Sequence, residues 1–155
     1  MKSSSANLFW VVVVLAALWV FGTHERGRPA PDFALQGAYG GRYHLDSFRG
    51  KPVLLVFWTT SCPICRHELP IVNNILPEAM RKGVEVAGVN IGDVDGAREV
   101  LRPYHLLNLV DSDGTAARNY RVSGVPKLVL IGSDGKIAHA AAGFQSADTL
   151  LSWMP

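Results

Sequence analysis

Six consecutive apolar residues, Val53-Leu-Leu-Val-Phe-Trp58, end four positions short of the tetrad Cys62-Pro-Ile-Cys65. An apolar run of strand length without alternation marks a strand covered on both faces, and hence a layered α/β arrangement. The period then changes: Cys65, Leu69, Val72, Leu76 and Ala79 recur at threes and fours, and Arg81, Lys82 and Gly83 supply a cationic last turn and a C-cap. This predicts a helix of about five turns, with a kink at Pro70, roughly one turn past Cys65. A buried strand thus delivers two cysteines to the start of a helix.

The remaining segments fit the same architecture. Phe33-Ala-Leu and Arg42-Tyr-His-Leu flank a glycine-containing turn and predict an N-terminal β-hairpin. Strands are expected at 84–91 and 107–110, with helices over 93–104 and 112–120 between and after them. Lys127–Ile131 and Lys136–Ala141 bracket Gly132-Ser-Asp-Gly135, an antiparallel hairpin signal, and a helix over 146–154 closes the chain. The fold class read from this order is α/β, with an antiparallel edge on the sheet.

The N-terminus has a different character. Ser3 to Thr23 is a run of 21 residues without formal charge, spanning roughly 31 Å as a helix against a bilayer core of about 30 Å. We read residues 1–23 as a membrane anchor that engages the lipid bilayer through 3–23. The alternative is a cleaved signal ending near Val20-Phe21-Gly22. Lys2 set against Arg26 and Arg28 leaves orientation undecided by charge, whereas a single apolar segment ahead of the whole domain points to export. Residues 24–31 (HERGRPAP) read as a linker and 32–155 as the domain.

Of fifteen Lys and Arg and thirteen Asp and Glu, three cations and one anion (Glu25) precede residue 29, so the rest balances at twelve of each. Such a domain lacks the cationic footprint of nucleic-acid binding, and no nucleic-acid partner is expected.

The chemistry is expected at the cysteine pair. Unpaired N–H groups and the positive dipole end of a helix favour thiolate over thiol, which makes Cys62 the reactive member and Cys65 the shielded resolving one. Pro63 suits the first helical position. As a staple the pair would contribute only about 2 kcal/mol, against about 3 for a fifteen-residue loop. A zinc site would need further ligands, and His24, His44, His67, His105 and His139 form no ligand pattern with the pair. No metal or other cofactor is expected. A second element is Gly124-Val-Pro126: a cis Val125–Pro126 bond would bring that backbone beside the cysteines and leave Val125 free to pair with an extended chain. Glu68, three residues past Cys65 on a helix, can approach the inner sulfur and move protons to and from it. Lys127 either places a cation near Cys62 or extends into water.

Taken in order, Ala30-Pro-Asp-Phe33, Gly50-Lys-Pro-Val53, Phe57-Trp58, Cys62-Pro-Ile-Cys65, Glu68-Leu-Pro70 and Gly124-Val-Pro126 resemble the membrane-anchored, TlpA/ResA-like thioredoxin-fold thiol–disulfide oxidoreductases. The resemblance covers residues 30–155. It implies a thioredoxin-like fold with an added N-terminal hairpin, a cis Pro126, and an extracytoplasmic reductant in which the acid at Glu68 tunes the cysteines. Cys62, Cys65 and Glu68 are then the expected catalytic residues, and Trp58, Val125 and Pro126 the substrate-binding ones. The expected partners are disulfide-containing extracytoplasmic proteins and a membrane-embedded thiol electron donor. The expected location is the cytoplasmic membrane, with one span and the domain in the periplasm or its equivalent. Two positions depart from the family pattern: Ser61 stands where many relatives have tryptophan, and Val56 where a polar residue is common.

Two rival functions are legible. The Ala30-Pro-Asp-Phe33 opening is shared with peroxiredoxin-like peroxidases, whose Pro-x-x-x-Thr-x-x-Cys arrangement is matched at Thr59 but not at Leu55. A copper-binding or copper-delivery module would use Cys62, Cys65 and a histidine such as His139, although the two-residue spacing counts against it.

Overall fold

The structure, a computed structural model, describes Trp10, Val11, Val13 and residues 25–155. The expected anchor at 3–23 lies almost wholly outside these residues, and among the described residues no helix is long and apolar enough to cross a membrane.

Seven strands form one sheet. In chain order the elements are β1 (Ala34–Gly37), β2 (Arg42–His44), β3 (Val53–Trp58), α1 (Pro63–Asn74), α2 (Leu76–Arg81), β4 (Glu85–Ile91), α3 (Val94–Leu101), β5 (Leu107–Asp111), α4 (Thr115–Asn119), β6 (Lys127–Ile131), β7 (Ile137–Ala142) and α5 (Ala147–Trp153). The spatial order is β2-β1-β5-β4-β3-β6-β7. Strands β3, β4 and β5 run parallel, while β6 and β7 add antiparallel to one side and the β1–β2 hairpin to the other. This is the thioredoxin-like arrangement with an N-terminal hairpin.

Every residue of β3 is buried, as its unbroken apolar run requires. Alternation assigns its side chains to two faces. Val53, Leu55 and Phe57 pack with Phe33, Tyr120 and Val129 on one side. Leu54 and Val56 pack with Val72, Leu128 and Leu150 on the other, where Trp58 joins Cys62, Cys65 and Leu69.

The helix after the cysteines departs from expectation. The first segment runs unbroken through Pro70, and the division falls at Ile75, between α1 and α2. The physical cause is Pro77, whose missing N–H withholds the i+4 donor from the Asn73 carbonyl. The Ile75 N–H keeps its ordinary bond to the Ile71 carbonyl at 3.1 Å and also faces the Asn73 carbonyl, which closes the first segment there.

The stretch read as a linker makes defined contacts. Gly27 N–H donates to the Ile137 carbonyl at 2.8 Å, Ile137 N–H to that of Arg28 at 2.9 Å, and Ala30 N–H to that of Gly135 at 2.9 Å. Residues 27–30 thus pair along the start of β7, covering part of an edge that would otherwise present unpaired backbone groups.

Candidate active site

Cys62 is the N-cap of α1, with extended backbone (φ −89°, ψ 109°), and its Sγ accepts a hydrogen bond from the Cys65 N–H at 3.1 Å. Pro63 occupies the first turn, where no amide partner is lost. The sulfur therefore sits where the helix presents its unpaired amides and positive dipole end, which stabilises a thiolate there.

The two cysteines form a disulfide with Cα atoms 5.3 Å apart. Cys62 is 9% exposed and Cys65 wholly buried, so a partner can reach only the first sulfur from solvent. The two members of the redox pair are thus unequally accessible.

The Val125–Pro126 peptide is cis, and the Val125 carbonyl oxygen lies 3.7 Å from Cys62 Sγ. In the disulfide this is a contact, because the sulfur carries no proton; in the dithiol the Cys62 S–H has an acceptor in place. The Pro126 carbonyl is held by Gly143 N–H at 2.8 Å, which ties the loop after β7 to the proline.

Glu68 is completely buried on the inward face of α1, together with Cys65 and Leu69. Its carboxylate accepts the Gln145 N–H, at 3.0 Å to Oε2 and 3.3 Å to Oε1. Burial pushes its pKa up, against the opposing pull of that amide. A carboxyl so placed holds its proton further toward neutral pH than a solvated one.

Trp58 was expected to bind substrate, but the structure places it elsewhere. It is fully buried, packed beneath the cysteines with Leu69, Ala97 and Leu101. Its Nε1 has no hydrogen-bond partner among the described residues. As the sixth residue of β3 it alternates onto the α1 face, so it forms the floor of the site and has no surface to offer a protein substrate. Gly88 makes room for it: a Cβ there would lie 3.3 Å from Trp58 Nε1 and 2.8 Å from Leu106 Cδ1.

Lys127 follows neither expected course. The first residue of β6 shares the face of Val129 and Ile131, away from α1, and its ammonium is buried against the Tyr120 carbonyl (2.8 Å), the Arg121 carbonyl (3.3 Å) and Glu25 Oε1 (3.1 Å). His139, the candidate copper ligand, stacks on Trp153 with ring centroids 5.3 Å apart and contacts the Arg26 guanidinium. Desolvation and that cation together push its pKa down. Among the described residues no group of three His, Cys, Asp or Glu is gathered as a metal site.

Sequence reasoning missed Gly143 and Gln145. Gln145 stands immediately before Ser146, whose hydroxyl caps α5, and nothing local reveals that its amide reaches a carboxylate 77 positions earlier.

Residues 26–140 match the model of the AhpC/TSA family. The chain is 32% identical over 133 residues to the thiol-disulfide oxidoreductase ResA of Bacillus thuringiensis subsp. konkukian, covering 84% of this chain and 77% of that one. The crystal structure of a candidate thiol:disulfide interchange protein DsbE from Chlorobium tepidum superposes with a TM-score of 0.76 at 33% identity, covering 83% of this chain and 94% of the other. An exposed lipoprotein thioredoxin of Streptococcus pneumoniae does so with 0.69 at 30% identity, covering 79% and 96%. With the fold, the helix-capping cysteine pair and these likenesses in agreement, the chain belongs to the AhpC/TSA family, as a thioredoxin-fold member akin to the thiol–disulfide oxidoreductases.

Proposed function

We propose that this thiol–disulfide oxidoreductase works outside the cytoplasm and in the reducing direction. Deprotonated Cys62 attacks one sulfur of a partner protein's disulfide, forming a mixed disulfide and releasing the partner's other sulfur as a thiolate. Cys65, after giving up its proton, attacks Cys62 Sγ and releases the partner's second thiolate. Two electrons pass from the dithiol to the partner, and the Cys62–Cys65 disulfide remains. A membrane-embedded thiol donor restores the dithiol. Glu68 takes the proton from Cys65 and returns it on re-reduction, while Val125 and Pro126 line the edge on which the partner's extended chain lies.

The observation carrying this reading is the unequal exposure of two bonded sulfurs at a helix N-terminus. The extracytoplasmic setting is supported by the 21-residue uncharged run at 3–23 and by the likeness to an exposed lipoprotein thioredoxin. Direction is supported by Pro-Ile between the cysteines, which adds no histidine to hold the thiolate strongly.

Trapping tests the mechanism. Cys65→Ser is expected to accumulate covalent complexes with partner proteins on non-reducing gels, and Cys62→Ser to accumulate none; equal trapping by both contradicts the roles. A reduction potential near the roughly −120 mV of strong oxidants would overturn the reducing direction.

A further inference from the structure

Among the described residues Lys127 is the most deeply buried cation that the chemistry above leaves unused. Its side chain is 9% exposed, and an ammonium so placed requires both hydrogen-bond acceptors and a counter-ion. The Tyr120 and Arg121 carbonyls provide the acceptors. Glu25 provides the opposite charge, and among the described residues it is the only carboxylate in ion-pair range of Lys127.

The location gives this pair a consequence. Tyr120 and Arg121 open the loop that ends at Val125–Pro126, and Lys127 is the residue that follows it. One side chain therefore bridges both ends of the loop. Arg121 is the described non-glycine residue with positive φ (53°). Its carbonyl faces the ammonium, and the Val122 N–H that follows is held by Ala117 at 2.8 Å. At the far end of the same loop the Val125 carbonyl stands 3.7 Å from Cys62 Sγ.

We infer that Lys127 and Glu25 are a positioning pair that sets the Tyr120–Pro126 loop, and with it the Val125 backbone, against Cys62 for an extended protein substrate. The segment just beyond the apolar N-terminal run thereby acts on the Val125 edge from a distance, through the loop, without touching substrate. Without Glu25 the buried ammonium has no counter-ion, and the loop must open toward water to hydrate it. The Val125 edge then moves relative to the sulfur, while the sulfur itself, fixed by α1 on the other face of the sheet, does not.

This inference rests on the proposed disulfide exchange, and the test separates the two. Dithiothreitol-driven reduction of insulin is compared with that of hydroxyethyl disulfide, which is too small to pair along the Val125 edge. For Glu25→Ala the KM for insulin is expected to rise roughly three- to tenfold with kcat little changed, while the hydroxyethyl disulfide rate stays at the native value. Glu25→Asp, which restores the charge, should recover much of the lost KM. Lys127→Met, of similar stem volume, should act in the same direction, and if it does not fold Glu25→Ala carries the test alone. An unchanged insulin KM, or an equal fall with both substrates, overturns the positioning role while leaving disulfide exchange intact. A native protein inactive toward both disulfides overturns the exchange reading and this inference with it.

Discussion

Two ionisable groups lie buried on opposite sides of the same sheet, and their surroundings differ in kind. Lys127 has two carbonyls and a carboxylate within 3.3 Å of its ammonium. Among the described residues Glu68 has the single Gln145 amide for its two carboxylate oxygens. The well-satisfied group has an acceptor on every side of its ammonium, and its service is geometric. The sparsely satisfied one is pushed toward its neutral form by burial, which is the condition for exchanging protons with a neighbour. Placed side by side, they indicate that a buried charge is read by how completely it is answered.

The sharpest way to break that contrast is Lys127→Ala, which strands Glu25 and two carbonyls over a cavity. Unfolding in urea should show a loss of about 3 kcal/mol; a loss below about 0.5 kcal/mol would mean the ammonium was never essential there. A smaller effect is expected on the cysteine side from Gly88→Ala, whose new methyl must displace Leu106 and press on Trp58. About 1 kcal/mol is expected, since the end of a leucine side chain can give way, and reduction of protein disulfides should slow along with it if Trp58 is the floor of the site. Unaltered stability and rate would show the floor to be loose.

The mildest substitution, Glu68→Gln, isolates the proton. Because burial raises the Glu68 pKa above its ordinary value of 4.5, the folded chain binds this proton more tightly than the unfolded chain. Stability contributed by the protonated form is full below that value and declines as pH climbs through the raised one. Glu68→Gln should therefore match the native protein near pH 4 and melt above it near pH 8, and its exchange rate should lose the corresponding pH dependence. A native melting temperature that rises across that interval in step with the variant's would contradict the assignment.

Much of the fold is written locally. The apolar run of β3, the shift to helical spacing after Cys62, and the Gly132–Gly135 turn between β6 and β7 all fall within short windows, so period and turn chemistry reveal them. What stays hidden depends on contacts distant in sequence or on competition among nearby signals. Pro70 and Pro77 are equally visible prolines, yet the helix divides beside the second. Trp58, expected among the substrate-binding residues, is buried by strand alternation and by the space over Gly88. The direction of Lys127 depends on Glu25, 102 positions earlier, and that of Glu68 on a loop amide 77 positions later. Residues 24–31, charged and proline-containing, read as a linker because the partners of 27–30, at Gly135 and Ile137, lie more than a hundred residues away.

The bond from the Cys65 amide to Cys62 Sγ makes one atom both the end-cap of a helix and the reacting nucleophile. Every turnover then changes the charge and bonding of the atom that caps the first turn of α1. The amide resonance of Cys65 should consequently shift in step with the state of the sulfur, giving a spectroscopic clock for catalysis that needs no attached label.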